Sequence, residues 1–214
     1  VAIPDYCPTN GHVAAKLDVA EALELAGFVP IVIPHTPDDA MLEECLRDAD
    51  ALMVAGGIGP LQDYDKRCAF EKRCIRIALA RRIPISGVCH GSQIINEYFG
   101  GKLEKTPQRL GGTGQVVVHC QPEPDPFVFH VADLEPDSRI ARVLGSSRVL
   151  VNSAHGLRSF EMGRGLRVTA RAEDGVVEAL EHETLPVMAF QFHPERMTTD
   201  ARFVELLRVS LSPL

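Results

Sequence analysis

The chain has 214 residues, 45% of them apolar, and a formal net charge of −7. That length supports one medium-sized domain, residues 1–214, with a sizeable core, and the acidic balance without a long Lys/Arg run argues against a nucleic-acid partner. No apolar stretch approaches a membrane span, and no basic-then-apolar leader opens the chain, so a cytoplasmic protein without a membrane partner is expected.

Six cysteines are present: Cys7, Cys45, Cys68, Cys74, Cys89 and Cys120. None forms a CxxC pair, and none has zinc-finger spacing with a histidine, so reduced thiols are the simpler account.

In chain order, residues 1–4 read as a first strand and residues 8–11 as a turn. Residues 12–26 have helical composition, with Val19, Leu23 and Ala26 on one face, and Gly27 stops the helix. Residues 28–33 are nearly all apolar, as for a parallel strand covered on both faces. Pro37-Asp38-Asp39 opens a second helix with Met41, Leu42, Cys45 and Leu46 inward. Residues 51–54 form a third strand. This βαβαβ rhythm predicts a layered α/β fold, a mostly parallel central sheet flanked by helices.

The third strand runs into Ala55-Gly56-Gly57-Ile58-Gly59-Pro60. This is either a plain turn or a set of exposed backbone N–H groups at the carboxyl end of a parallel strand, where ligands collect. The phosphate-loop pattern is absent. Residues 65–82 are a long charged helix with Phe70, Cys74 and residues 77–79 on its apolar side. Its charges read as a solvated face.

The most informative stretch is Gly87-Val88-Cys89-His90-Gly91-Ser92-Gln93. An apolar strand enters it and a helical pattern leaves it, which puts Cys89 at the apex of a sharp turn. Gly87 and Gly91 let the backbone turn tightly, and a helix N-terminus favours thiolate. A buried cysteine that opens a core helix is the bland alternative. Gly100-Gly101 then break the pattern and Lys102-Leu103 resumes it.

Residues 106–114, with Gln108 and Arg109, read as a loop, and residues 115–120 and 127–131 as strands around a proline-rich turn. Residues 138–144 form a short helix ending at Gly145. These middle elements look like a small antiparallel flap. A strand then delivers Asn152-Ser153-Ala154-His155 to a loop, where His155 binds a ligand, caps a turn or does neither. Residues 166–172 and 176–181 form a hairpin about Asp174-Gly175.

The second anchor is Phe190-Gln191-Phe192-His193-Pro194-Glu195. A strand ends in a histidine, and a carboxylate follows two residues later. Glu195 behind the imidazole would orient it toward a nucleophile; a rim histidine beside a surface glutamate is the alternative. Met197-Thr198-Thr199-Asp200 caps a final helix with Phe203, Leu206 and Leu207 inward.

The Cys89 and His193 stretches resemble the class I glutamine amidotransferase fold, a flavodoxin-like α/β architecture, and within it the γ-glutamyl-γ-aminobutyrate hydrolase-like (peptidase C26) branch. Residues 22–30, Gly56-Gly57 with Pro60 and Tyr64, and Gly175-Val176-Val177-Glu178-Ala179-Leu180-Glu181 extend the resemblance. It implies a Cys89–His193–Glu195 triad and an oxyanion hole from the Gly57 and His90 amides. It also implies a glutamyl pocket with Gln93, Asn152, Ser153 and His155. The branch keeps an acid where Glu178 stands; a solvated strand residue is the other reading.

The implied reaction is hydrolysis of a γ-glutamyl amide through a thioester, with no metal or organic cofactor. The rivals are a glutaminase that feeds a partner synthase and a non-catalytic binding protein on the same fold. A small γ-glutamyl amine or glutamine is the expected substrate, and a homodimer is compatible with the chain's size. Two departures stand out. His155-Gly156-Leu157 replaces two adjacent histidines and a glutamine, and His90 replaces an arginine.

Overall fold

The computed structural model describes residues 1–4, 16–57, 64–106, 117–120 and 130–214. Within them the chain alternates strands and helices: β1 (Ala2–Pro4), α1 (Leu17–Leu25), β2 (Ile31–Ile33), α2 (Asp39–Cys45), β3 (Leu52–Val54), α3 (Tyr64–Ala80), β4 (Ile85–Val88) and α4 (His90–Tyr98). There follow β5 (Lys102–Lys105), β6 (His130–Leu134), α5 (Arg139–Leu144), β7 (Arg148–Val151), β8 (Leu157–Glu161), β9 (Leu166–Ala172), β10 (Val177–His182), β11 (Val187–Phe190) and α6 (Ala201–Ser210).

Nine strands form one sheet in the order β2-β1-β3-β4-β11-β10-β9-β6-β7. β2, β1, β3, β4 and β11 run parallel, and the pairings from β11 outward to β7 are antiparallel. This is the expected α/β fold, a large mixed sheet flanked by helices. Strand alternation divides the core. Ile3, Met53, Met188 and Phe190 pack on one face with α1, α5 and α6. Ala2, Leu52, Val54, Ile85 and Ala189 pack on the other with α2, α3 and α4.

Local chemistry sets several boundaries. Gly27 ends α1 at φ +87, a backbone state that strains a side chain. Asp38 caps α2 by accepting from the Ala40 and Met41 amides, Ser138 caps α5 at Ala141, and Asp200 caps α6 at Arg202.

Four expectations change. β2 is an edge strand with Ile31 and Val32 exposed, because its place in the sheet leaves it one neighbour. Met41 points outward while Leu42 and Leu46 are buried. Lys102–Lys105 is a strand rather than resumed helix; it pairs antiparallel with β8, and this separate two-stranded sheet is the small antiparallel unit. The elements expected as a flap, β6 and β7, continue the main sheet through β9. The turn at residues 8–11, the helical start at 12–15, Gly59 and Pro60, and the loop carrying Gln108 and Arg109 lie outside the described residues, as does the proline-rich turn.

Candidate active site

Three adjacent strands bring the candidate residues together. β3 ends into Ala55-Gly56-Gly57, β4 into Cys89, and β11 into the segment that carries His193. All three run parallel, so their carboxyl ends open on one side of the sheet.

Cys89 holds the N-cap position of α4 at φ 50 and ψ −104. A non-glycine residue at positive φ is strained, and such strain collects at functional turns. The flanking glycines have a different role from the expected one, since neither has positive φ. They allow close packing: a Cβ on Gly91 would overlap the Val54 carbonyl, and one on Gly87 would strike Ile95 and the Gly91 backbone. The strand and helix can therefore meet at the turn only if both positions lack side chains. The sulfur sits at the positive end of α4, which favours negative charge there.

His193 is buried and its Nδ1 pairs with Glu195 Oε1 at 2.7 Å. The Cys89 side chain lies beside the same ring, both of them lining the space next to Gly56. Burial alone would lower the imidazole, but the Glu195 carboxylate and the Cys89 sulfur outweigh it and raise His193 to about 10. Asn152 holds the histidine from behind: its Nδ2 donates to the His193 carbonyl at 2.9 Å, and its Oδ1 accepts from the His193 amide at 2.7 Å. Gly56 leaves room for this pair, since a Cβ there would lie 2.9 Å from His193 Cε1 and 3.3 Å from Cys89 Cβ.

Beneath the turn lies a buried charge network, where the alternating charges of α3 predict a solvated face. Arg67 donates to the Ala55 and Gly57 carbonyls, both at 3.2 Å, and to Glu71 at 2.8 Å. Glu71 reaches His90 Nε2 at 2.7 Å. All three side chains are buried. The His90 ring therefore packs under the turn, tied to the same carboxylate as the guanidinium that grips the glycine loop. Arg67 and Glu71 stand three before and one after Phe70, and Cys74 is three beyond Glu71; that shared helical face was the available signal.

The expected glutamyl-pocket residues brace the site's wall. Gln93 donates to the Leu157 carbonyl at 2.9 Å and to Gln191 at 3.2 Å. Ser153 Oγ donates to the His119 carbonyl at 2.8 Å, and the next residue's carbonyl, Ala154, lies 3.9 Å from the Cys89 sulfur. His155 turns its Nδ1 to the Leu157 carbonyl at 2.9 Å and its Nε2 toward Glu178 at 3.7 Å.

Glu178 is fully buried rather than solvated. It falls where the β9–β10 register shifts, so a bulge sets its direction. Burial would raise this carboxyl, but His119, His130 and His155 hold it below the usual carboxylate range. His119 is raised in turn: burial opposes its charge, and Glu178 and Asp174 overcome that.

Comparison with known proteins shows the family and the fold. The peptidase C26 family model matches residues 7–195. A glutamine amidotransferase-like protein of Lactococcus lactis, YvdE, is 36% identical over 141 residues, 65% of this chain and 56% of that protein. The chain thus spans little more than half of that relative's length. The γ-glutamyl-γ-aminobutyrate hydrolase of Escherichia coli O157:H7 is 28% identical over 208 residues, 87% of this chain and 81% of that enzyme. The acivicin-bound CTPS glutaminase domain of Trypanosoma brucei superposes with a TM-score of 0.69 at 16% identity, covering 98% of this chain and 92% of that one. That likeness is one of fold. Among the described residues no helix is long and apolar enough to cross a membrane.

Proposed function

The chain belongs to the peptidase C26 family, and on that premise we propose that it hydrolyses the γ-glutamyl amide bond of a small γ-glutamyl amine. The observation that carries this reading is the chain of contacts from a strained cysteine at a helix N-terminus, through a buried imidazole, to Glu195.

In this mechanism the Cys89 sulfur attacks the γ-carbonyl carbon as thiolate, and the C–S bond forms. The carbonyl oxygen becomes an oxyanion held by the Gly57 and His90 amides. His90 is the first residue of α4, where amides lack intrahelical acceptors. Arg67, by pinning the carbonyls on either side of Gly56, keeps the glycine loop in place for that task. The raised His193 supplies its proton to the amine nitrogen as the C–N bond breaks. Water then loses a proton to His193 and attacks the thioester. Glutamate leaves and the thiolate–imidazolium pair returns. Glu195 keeps the ring in one orientation throughout.

Asn152, Ser153 and His155 serve the glutamyl end chiefly by fixing the loop that faces the sulfur. Gln93 braces that loop from α4. A second reading, a glutaminase that supplies ammonia to a partner synthase, has the support of the amidotransferase-like name of the 36% identical relative. The deciding experiment compares kcat/KM for a panel of γ-glutamyl amines with that for free glutamine, with Cys89→Ala protein as the blank. Preference for a bulkier γ-glutamyl amine supports the hydrolase, since leaving-group contacts then add to transition-state binding. Preference for glutamine, with activation by a purified synthase, replaces it with the glutaminase.

A further inference from the structure

We propose that His119, His130 and Glu178 form a binding site for a divalent transition-metal ion of the Zn2+ type, with His155 beside it. One ligand atom from each of the first three can be chosen so that all lie within 4.8 Å of one another, and all three side chains are buried.

The argument rests on which ring nitrogens are already committed. A carbonyl oxygen only accepts hydrogen bonds. His130 Nδ1 faces the Val118 carbonyl at 3.3 Å and His155 Nδ1 faces the Leu157 carbonyl at 2.9 Å, so each Nδ1 carries the hydrogen. His119 Nε2 faces the Asp174 carboxylate at 3.0 Å and carries its hydrogen for the same reason. The opposite nitrogens of all three rings then present lone pairs, and all three point at one oxygen. Glu178 Oε1 lies 3.1 Å from His130 Nε2, 3.4 Å from His119 Nδ1 and 3.7 Å from His155 Nε2.

Without a cation at the centre, whether a proton on one ring or a metal ion, this is a buried meeting of acceptors. His119 Nδ1, His155 Nε2 and Glu178 Oε2 have no hydrogen-bond partner among the described residues, although His155 is 4% exposed and Glu178 0%. Such groups are costly unless a cation joins them. One dication would balance Glu178 and Asp174 while the rings stay neutral. The spacings suit it: tetrahedral bonds of about 2.0–2.1 Å separate neighbouring ligand atoms by roughly 3.3–3.4 Å. The outer hydrogen bonds to Val118, Leu157 and Asp174 are the orienting contacts that metal-binding imidazoles require. Imidazole and carboxylate donors without thiolate favour Zn2+ and its neighbours over Cu(I).

The ion would join the loop before β6, β6 itself, the β10 bulge and, through His155, the loop that holds Asn152 against His193. No step of the proposed reaction passes through it.

The test uses the full chain carrying Cys89→Ala, so that the active-site sulfur cannot capture metal. After chelator treatment, Zn2+ is titrated calorimetrically, and retained zinc is quantified after gel filtration. Co2+ serves as the optical probe of coordination. One Zn2+ per chain is expected, with affinity lowered at least about tenfold by His130→Ala and by His119→Ala, and about tenfold by Asp174→Asn, which weakens the anchor of the His119 ring and removes one balancing negative charge but keeps an oxygen for the Val176 amide. Zinc should also raise the Tm of the host and leave that of the His130→Ala form unchanged. Circular dichroism verifies that each variant is folded. Retention of less than about a tenth of an equivalent would overturn the site, as would unchanged affinity in the folded His119→Ala and His130→Ala proteins.

Discussion

Two buried histidine–carboxylate clusters occupy the two halves of one sheet, in opposite proportions. At the carboxyl ends of the parallel strands, one imidazole stands between one carboxylate and one sulfur. In the antiparallel half, three imidazoles surround one carboxylate. In the first cluster Glu195 holds the ring at Nδ1 and the sulfur lies beside it, an arrangement that suits the proton transfer proposed between sulfur and ring. In the second, the N–H groups are anchored outward, on Val118, Leu157 and Asp174, and only acceptors are left at the centre. In the two proposals the same residue types thus serve a proton relay in one place and a cation cage in the other. The anchoring of the ring, more than the presence of histidine, decides which.

The comparison breaks most sharply at the sulfur. Cys89→Ala should lower turnover of a γ-glutamyl amide by at least about a thousandfold, with the far-ultraviolet dichroism unchanged. Near wild-type rates in the purified variant would remove the covalent route. Cys89→Gly should be equally inactive yet more stable than Cys89→Ala, because glycine relieves the positive φ at this turn. Urea midpoints of the two variants measure that difference.

Next in size is the network beneath the turn. Glu71→Gln leaves Arg67 buried without its counter-charge and should cost about 3 kcal/mol by urea unfolding. It should also reduce kcat more than KM, since the carbonyls that Arg67 pins belong to the proposed oxyanion loop. A loss confined to KM would detach the network from the reaction. Gly91→Ala should cost about 1–3 kcal/mol, because the new methyl must displace the Val54 carbonyl or the helix.

A finer prediction concerns pH. His193 is raised above its ordinary 6.5 to about 10, so folding takes up a proton between those values. The stability this contributes is complete below pH 6.5 and is lost as pH rises toward 10. In a Cys89→Ala background, where thiol ionisation cannot intervene, the urea midpoint should still fall as pH rises above 6.5, over a window that ends below 10 because the sulfur's raising influence is gone. Adding Glu195→Gln should flatten the fall, because the carboxylate is the first of the raising influences. An equally steep fall in the double variant would assign the effect to another group. The smallest effect belongs to the surface: Glu205→Gln, which breaks an exposed pair with Arg208, should change stability by less than about 0.5 kcal/mol.

Much of the parallel half was legible in the residues themselves. The βαβ rhythm, the Gly-Val-Cys-His-Gly turn and the His-Pro-Glu segment are local patterns, and local patterns survive without knowledge of the fold. So do the caps at Asp38, Ser138 and Asp200, whose side chains reach amides two or three residues away. What the chain order could not display was which strands become neighbours. The exposure of β2, the continuation of the sheet through β6 and β7, and the pairing of β5 with β8 all depend on partners far along the chain. The burial of Arg67 and Glu71 depends on a strand end lying over their helix. Glu178 depends on a bulge for its direction and on histidines 59, 48 and 23 residues before it for its company. Sequence spacing carries a signal only where the interacting groups are close along the chain; long-range polar clusters acquire their meaning when tertiary packing removes water from around them.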